Sequence, residues 1–165
     1  MNKLELRPAT VADAPRLAEI YNHYILHSTA TYEMAPVTDG EMARRIADIA
    51  AEYPYFVGLM DGHIVGYCYA HPWNTRAACH GHSLETTVYV DHDAEHHGIG
   101  TTLMRHLIDH CRQAGYRALI ANITDHNQPS MRMHEKLGFE VVGHYREVAE
   151  KMGLVLGTVA YELMI

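Results

Sequence analysis

The stretch Val88-Tyr89-Val90, then Asp91-His92-Asp93-Ala94-Glu95-His96, then His97-Gly98-Ile99-Gly100-Thr101-Thr102-Leu103 sets an apolar strand, a polar turn and a helix start in immediate succession. A helix start offers N–H groups without intrahelical partners and the positive end of the helix dipole, which together make an anion site. Gly98 and Gly100 carry no side chains, so a pyrophosphate can approach the backbone there. Two nucleotide motifs are excluded. Leu103 stands where GxGxxG needs its third glycine, and no Gly-Lys-Ser/Thr follows Gly100. On spacing alone the other reading is a loop whose glycines only permit a tight turn.

Outward from this stretch the chain alternates helix and strand signals. Leu84 to Val90 reads as a strand, and His71 to Gly81, broken by Pro72, Trp73 and Asn74, as a loop. Tyr55 to Met60 and His63 to Ala70 form a hairpin about Asp61-Gly62, because glycine accepts positive φ. Thr38-x-x-Glu41 is a capping box before Met42, Ile46 and Ile49. Thr10-x-x-Asp13 is another, with Pro15 in the first turn, before Leu17, Ile20, Tyr21, Tyr24 and Ile25. Leu4 and Leu6 belong to a first strand, and residues 28–36 are a loop rich in Ser, Thr and Pro.

Downstream, Gly98 to Ala114 is a helix stopped by Gly115, with Leu103, Met104, Leu107, Ile108 and Cys111 as its buried stripe. Arg117 to Ile123 is an apolar strand. Asn127 caps a short helix reaching Leu137, with Gly138 as its stop. Phe139 to Tyr145 and Val155 to Met164 are the last strands. The order β-α-α-β-β-β-α-β-α-β-β predicts an α/β (α+β) fold of three layers, a central mixed, largely antiparallel sheet flanked by helices. With no linker, repeat or low-complexity tract, residues 1–165 read as one domain.

Composition narrows the function. A net charge of -7 over 165 residues repels phosphate backbones, which argues against non-specific nucleic-acid binding. No apolar run approaches the roughly 20 residues that span a bilayer, so no membrane role is expected. Met1 to Thr10 reads as a charged strand and not a signal peptide. Three irregularly spaced cysteines suggest no disulfide framework, and the expected compartment is the cytoplasm. The 14 histidines raise a metal hypothesis. His106 and His110 have the i, i+4 spacing that chelates zinc, yet they lie off the buried stripe and lack a third ligand. No metal is expected.

Several segments together resemble the GNAT N-acetyltransferases. The glycine loop resembles that superfamily's acetyl-CoA loop, Arg/Gln-x-x-Gly-x-Gly/Ala, and Arg7-Pro8-Ala9-Thr10 with Asp13-Ala14 its opening. Ala30-Thr31-Tyr32-Glu33, Glu85-Thr86-Thr87-Val88-Tyr89-Val90, Asn127-Gln128-Pro129-Ser130, His134-Glu135-Lys136-Leu137-Gly138-Phe139 and Gly143-His144-Tyr145-Arg146-Glu147-Val148 are similar to the branch that acetylates phosphinothricin and methionine sulfoximine. Three places depart from it. Glu95 stands where the loop carries Arg or Gln. Arg76-Ala77-Ala78-Cys79-His80 replaces an Arg-Pro-Ala-Tyr-like segment. Val155 and Gly157 follow Lys151-Met152-Gly153 where the branch often shows Trp-x-Asp.

The resemblance implies acetyl-CoA as co-substrate, a small amino-acid-like amine as acceptor, direct transfer and a homodimer. Acetylation needs a free amine, so a base must take the ammonium proton. Glu85 matches the family's catalytic glutamate; otherwise it is a surface strand acid. An N–H around Tyr89 or Val90 is the expected donor to the oxyanion. His134 stands where many members carry a Tyr that protonates the leaving thiolate, or is a structural histidine. The cofactor set implied is Val88, Tyr89, Val90, Glu95, His96, His97, Gly98, Ile99, Gly100, Thr101, Asn127, Ser130 and Lys136. Within it, His96 and His97 can offset Glu95, Asn127 can simply cap its helix, and Lys136 can simply be solvated. Tyr32, Glu33, Trp73 and Arg76 are the acceptor candidates: Arg pairs two-pronged with a carboxylate, while loop aromatics also serve dimer contacts. Cys79 has no oriented histidine partner in the sequence to make it a nucleophile.

Overall fold

Parallel pairing in the sheet is confined to one place, and that place positions the site. In the computed structural model, residues 4–94 and 98–165 are described. The elements are β1 (Glu5–Pro8), α1 (Ala14–His27), α2 (Asp39–Ala50), β2 (Tyr55–Met60), β3 (His63–Pro72), β4 (Ser83–Val90), α3 (Ile99–Gln113), β5 (Ala118–Thr124), α4 (Gln128–Lys136), β6 (Glu140–Lys151) and β7 (Leu154–Met164). Every element expected from the sequence forms, in the expected order. The strands make one sheet, β1-β2-β3-β4-β5-β7-β6. All neighbours are antiparallel except β4 and β5.

Each face of the sheet has its own core, so the molecule has three layers. On one face Leu103, Met104, Leu107, Ile108 and Cys111 of α3 and Met131 of α4 pack against Cys68, Ala70, Leu84 and Leu119. On the other, Leu17, Ile20, Tyr21 and Ile25 of α1 and Met42 and Ile46 of α2 pack against Tyr55, Val57 and Tyr67. A fully buried leucine such as Leu107 contributes about 2 kcal/mol by transfer alone. His106 and His110 lie off the α3 stripe, edge-on to Phe56 at 4.5 and 5.3 Å between ring centres.

The ends of elements differ from expectation in informative ways. The Asp13 carboxylate accepts from the Thr10 N–H at 2.8 Å, but this box opens a 3-10 turn over Val11–Asp13, and α1 starts at Ala14. Thr38 caps α2 through the Glu41 N–H at 3.1 Å. The Glu41 carboxylate does not close the box; Arg44 and Arg45 take it. β6 runs on to Lys151, well past Tyr145, and a turn at Met152 and Gly153, both at positive φ, joins it to β7. Alternation fails to reveal this because the register shifts between Tyr145 and Ala149 and the strand is almost wholly exposed.

Candidate active site

The parallel register of β4 and β5 ends at Glu85↔Ile120. Beyond it the strands diverge, and a pocket of about 540 Å³ fills the fork. Its walls are residues 85–90 of β4, Gly98 to Thr101 at the start of α3, Ala121 to Ile123 of β5, and Asn127, Ser130, Met133, His134 and Lys136 on or capping α4. The strand alternation decides which backbone groups face the fork. Asp91 N–H donates to Val65 O at 2.8 Å, on the β3 side. Alternate residues therefore point the other way, and the N–H groups of Val88 and Val90 are directed into the fork. Tyr89 N–H is directed at β3, so of the two expected oxyanion donors the geometry retains Val90. The Tyr24 hydroxyl donates to Val90 O and fixes the end of β4.

The rim of the pocket is a helix start. Gly98 caps α3 at φ 73, a left-handed conformation that favours glycine. A Cβ on Gly100 would lie 3.1 Å from Met133 Sδ and 3.4 Å from Val90 Cγ2, inside the pocket wall. Asn127 caps α4, its Oδ1 accepting from Ser130 N–H at 3.3 Å. These groups suit an anionic head and an amide-bearing arm, the chemistry of a coenzyme A thioester. Glu95, His96 and His97 lie outside the described residues.

His134 is buried, and burial holds its pKa below the ordinary value despite the bond to Ser130. Nδ1 donates to Ser130 O at 2.8 Å, which leaves the lone pair of the neutral ring on Nε2. In that tautomer His134 accepts a hydrogen bond at Nε2 and does not donate one there. Its expected role as proton donor to a thiolate would require the imidazolium, which burial disfavours. Burial likewise raises Tyr21, Tyr67, Tyr69 and Tyr89, so these hydroxyls stay protonated. Burial also pushes up the Cys68 and Cys111 thiols. Glu85, half-buried at the crotch of the fork, is the carboxylate among the pocket-lining residues.

The acceptor candidates do not line the pocket as a set. Glu33 is committed to Arg45, which binds both its oxygens at 2.7 and 2.9 Å, and to the Tyr21 hydroxyl. Its charge is thereby neutralised within the chain. Trp73 is 49% exposed. Arg76 is also exposed, with its N–H on Asn74 Oδ1 ahead of the 3-10 turn Ala77–Cys79. Tyr32 follows two residues after the pocket-lining Ala30 and does not itself line the pocket; its hydroxyl donates to Gly157 O at 2.8 Å. His80 Nε2 bonds Thr75 O at 3.1 Å.

The sequence reading passed over Asn122 and Met133, which also line the fork. Asn122 left a signal: it is the one amide in the apolar run Ala118–Ile123, and it is exposed where its neighbours are buried. Among the described residues, the three groups near enough to share a cation are Asp91, His92 and Asp93, and Arg16 already pairs Asp91.

Fold and site together define an acyl-CoA-dependent transferase architecture. Residues 17–139 match the model of the Acetyltransferase (GNAT) family, and the chain belongs to that family. It is 37% identical over 150 residues to a phosphinothricin N-acetyltransferase of Streptomyces viridochromogenes, covering 91% of this chain and 81% of that one. It is 31% identical over 163 residues to the L-methionine sulfoximine/L-methionine sulfone acetyltransferase of Salmonella typhimurium, covering 98% and 95%. A crystal structure of a phosphinothricin acetyltransferase from Sinorhizobium meliloti in complex with acetyl-CoA superposes with a TM-score of 0.94 at 34% identity, covering 98% of this chain and 88% of that one.

Proposed function

We propose that residues 1–165 act as one N-acetyltransferase domain that moves the acetyl group of acetyl-CoA directly to the amine of a small amino-acid-like substrate of the phosphinothricin or methionine sulfoximine type. The observation that carries this reading is the fork itself, which sets a carboxylate, inward N–H groups and a helix start around one pocket. The helix start at Gly98 to Thr101 holds the anionic end of the thioester. The N–H groups of Val88 and Val90 hold its arm and its carbonyl oxygen, stabilising charge there as it develops. Glu85 takes the ammonium proton, through water, and the free amine attacks the carbonyl carbon. The C–S bond then breaks and the electron pair leaves on sulfur, a fair leaving group as thiolate. His134 Nε2 accepts a hydrogen bond from the pantetheine arm instead of protonating the sulfur.

A thiol-release assay with acetyl-CoA and a panel of L-methionine sulfoximine, phosphinothricin, free amino acids and peptides tests the assignment. Turnover on the first two supports it. Turnover on peptides alone would move the assignment to protein acetylation, and none at all to a non-catalytic acyl-CoA-binding module. A homodimer also belongs to the proposal. Val141, Val142, Tyr145, Val148 and Val155 leave an apolar surface on the β6–β7 hairpin that a second copy would cover. Sedimentation showing only the 18.6 kDa species at micromolar concentration would refute it. The three free cysteines fit a reducing, cytoplasmic setting. No helix of the described residues is long and apolar enough to cross a membrane.

A further inference from the structure

Asp125 follows β5 directly and lies two residues before the cap of α4. Its backbone N–H donates to Gly157 O at 3.0 Å, and the Gly157 N–H returns a bond to Asp125 Oδ1 at 3.0 Å. His126 Nδ1 donates to Oδ1 at 2.9 Å and His144 Nε2 to Oδ2 at 3.1 Å. The same Gly157 carbonyl accepts from the Tyr32 hydroxyl at 2.8 Å, and that hydroxyl also meets Thr158 Oγ1 at 2.6 Å. One glycine thus joins the 28–36 loop to the segment that leads into α4.

The space around Gly157 admits no side chain there. A Cβ at 157 would collide with Tyr145 O, Asp125 Oδ2 and Arg146 O. The main-chain oxygens of Tyr145 and Arg146 and the carboxylate of Asp125 together fill the volume a side chain at 157 would need. Burial pushes Asp125 upward most strongly, but the bonds from Gly157, His144 and His126 together hold its carboxyl below the usual carboxylate range. It stays an anionic acceptor, which keeps all three donors engaged.

We propose that Asp125 is a positioning residue for the acceptor: its carboxylate holds Gly157, the Gly157 carbonyl takes the Tyr32 hydroxyl, and the 28–36 loop, whose Ala30 lines the pocket, is fixed from the β5 side. The inference rests on the proposed transfer to an amine and on the 28–36 loop bordering the acceptor's approach through Ala30. Asp125→Ala removes the carboxylate bonds to the Gly157 N–H, His126 and His144, whereas Asp125→Asn keeps an oxygen for the Gly157 N–H. Asp125→Ala should raise the KM for the amine about tenfold, the effect of losing one oriented hydrogen bond. kcat and the affinity for CoA should change less than about threefold, because the helix start at Gly98 is untouched. Asp125→Asn should recover most of the loss. Tyr32→Phe should raise the amine KM similarly, and the double variant should be less than additive.

Amide hydrogen exchange over Thr31 to Glu33 reads the same node without turnover and should quicken about tenfold in Asp125→Ala. An unchanged amine KM or unchanged exchange in a folded Asp125→Ala protein overturns the proposal. So does parallel loss of CoA affinity and stability that Asp125→Asn fails to restore. Wild-type protein without acetyl transfer would instead overturn the transferase reading, and the exchange measurement would still decide the role of Asp125.

Discussion

Replacing Gly100 with valine tests the fork most directly. Gly100 is the second residue of α3, so a β-branched residue there meets no forbidden backbone conformation. The first methyl-sized atom would lie 3.1 Å from Met133 Sδ, a flexible chain end that can give by a few tenths of an ångström. The fold should therefore survive. Valine adds two further methyls, and with Met133 on one side and Val90 Cγ2 at 3.4 Å on another, they project over the pocket rim. An anion held by N–H groups of the first helical turn is then pushed outward. Each charge-assisted bond so lengthened is worth about 1.5–3 kcal/mol. Losing one should weaken CoA binding about 10- to 100-fold. Calorimetric titration with CoA measures this, with thermal unfolding as the check on folding, and Gly100→Ala should fall between. A folded Gly100→Val protein that binds CoA within about threefold of wild type refutes the assignment of this helix start to the cofactor.

Glu85→Gln keeps size and hydrogen bonding but not basicity. It should lower kcat by roughly 10²–10⁴-fold with CoA affinity retained, and raising the pH should partly restore it. A raised KM with kcat little changed would mark Glu85 as a substrate contact instead. Arg7 binds both oxygens of buried Asp13 at 2.8 Å, which holds that carboxyl below its ordinary pKa although burial opposes it. A depressed carboxyl pKa stabilises the fold above the unfolded value of about 3.9, and this is lost as pH falls through the native value. With the Arg7 side chain 41% exposed, Arg7→Met should cost about 1 kcal/mol at pH 7, and the difference from wild type should shrink as pH falls below the unfolded carboxyl value in denaturant titrations.

The sequence revealed those parts whose physics is local. The α3 stripe follows from helical period and the Asn127 cap from its side-chain oxygen, whereas Gly98, read as the first helical residue, is the left-handed cap before it. The end of β6 was hidden because a bulged, solvent-facing edge strand has no buried face to impose alternation. Glu33 shows the other limit. An acid in a loop resembling a substrate segment reads as free, and only the fold brings Arg45 of α2 onto it. Likewise the tautomer of His134 depends on the Ser130 carbonyl, a backbone group that residue identity does not announce.

The divergence of β4 from β5 leaves a gap in the sheet with main-chain donors on its edge. An arm that carries its own amides can enter that gap and pair as a strand would. On the proposed mode of binding, much of the ligand would be recognised with atoms that every residue possesses. Valine at 88 or 90 could become isoleucine or threonine without altering the N–H beneath it. Drift along this strand is then filtered mainly by the α3 side of the core, and the acceptor can change in a lineage while the cofactor does not. On the proposed mode of binding, the donor would be read by the backbone and the acceptor by side chains, so the two could be altered separately.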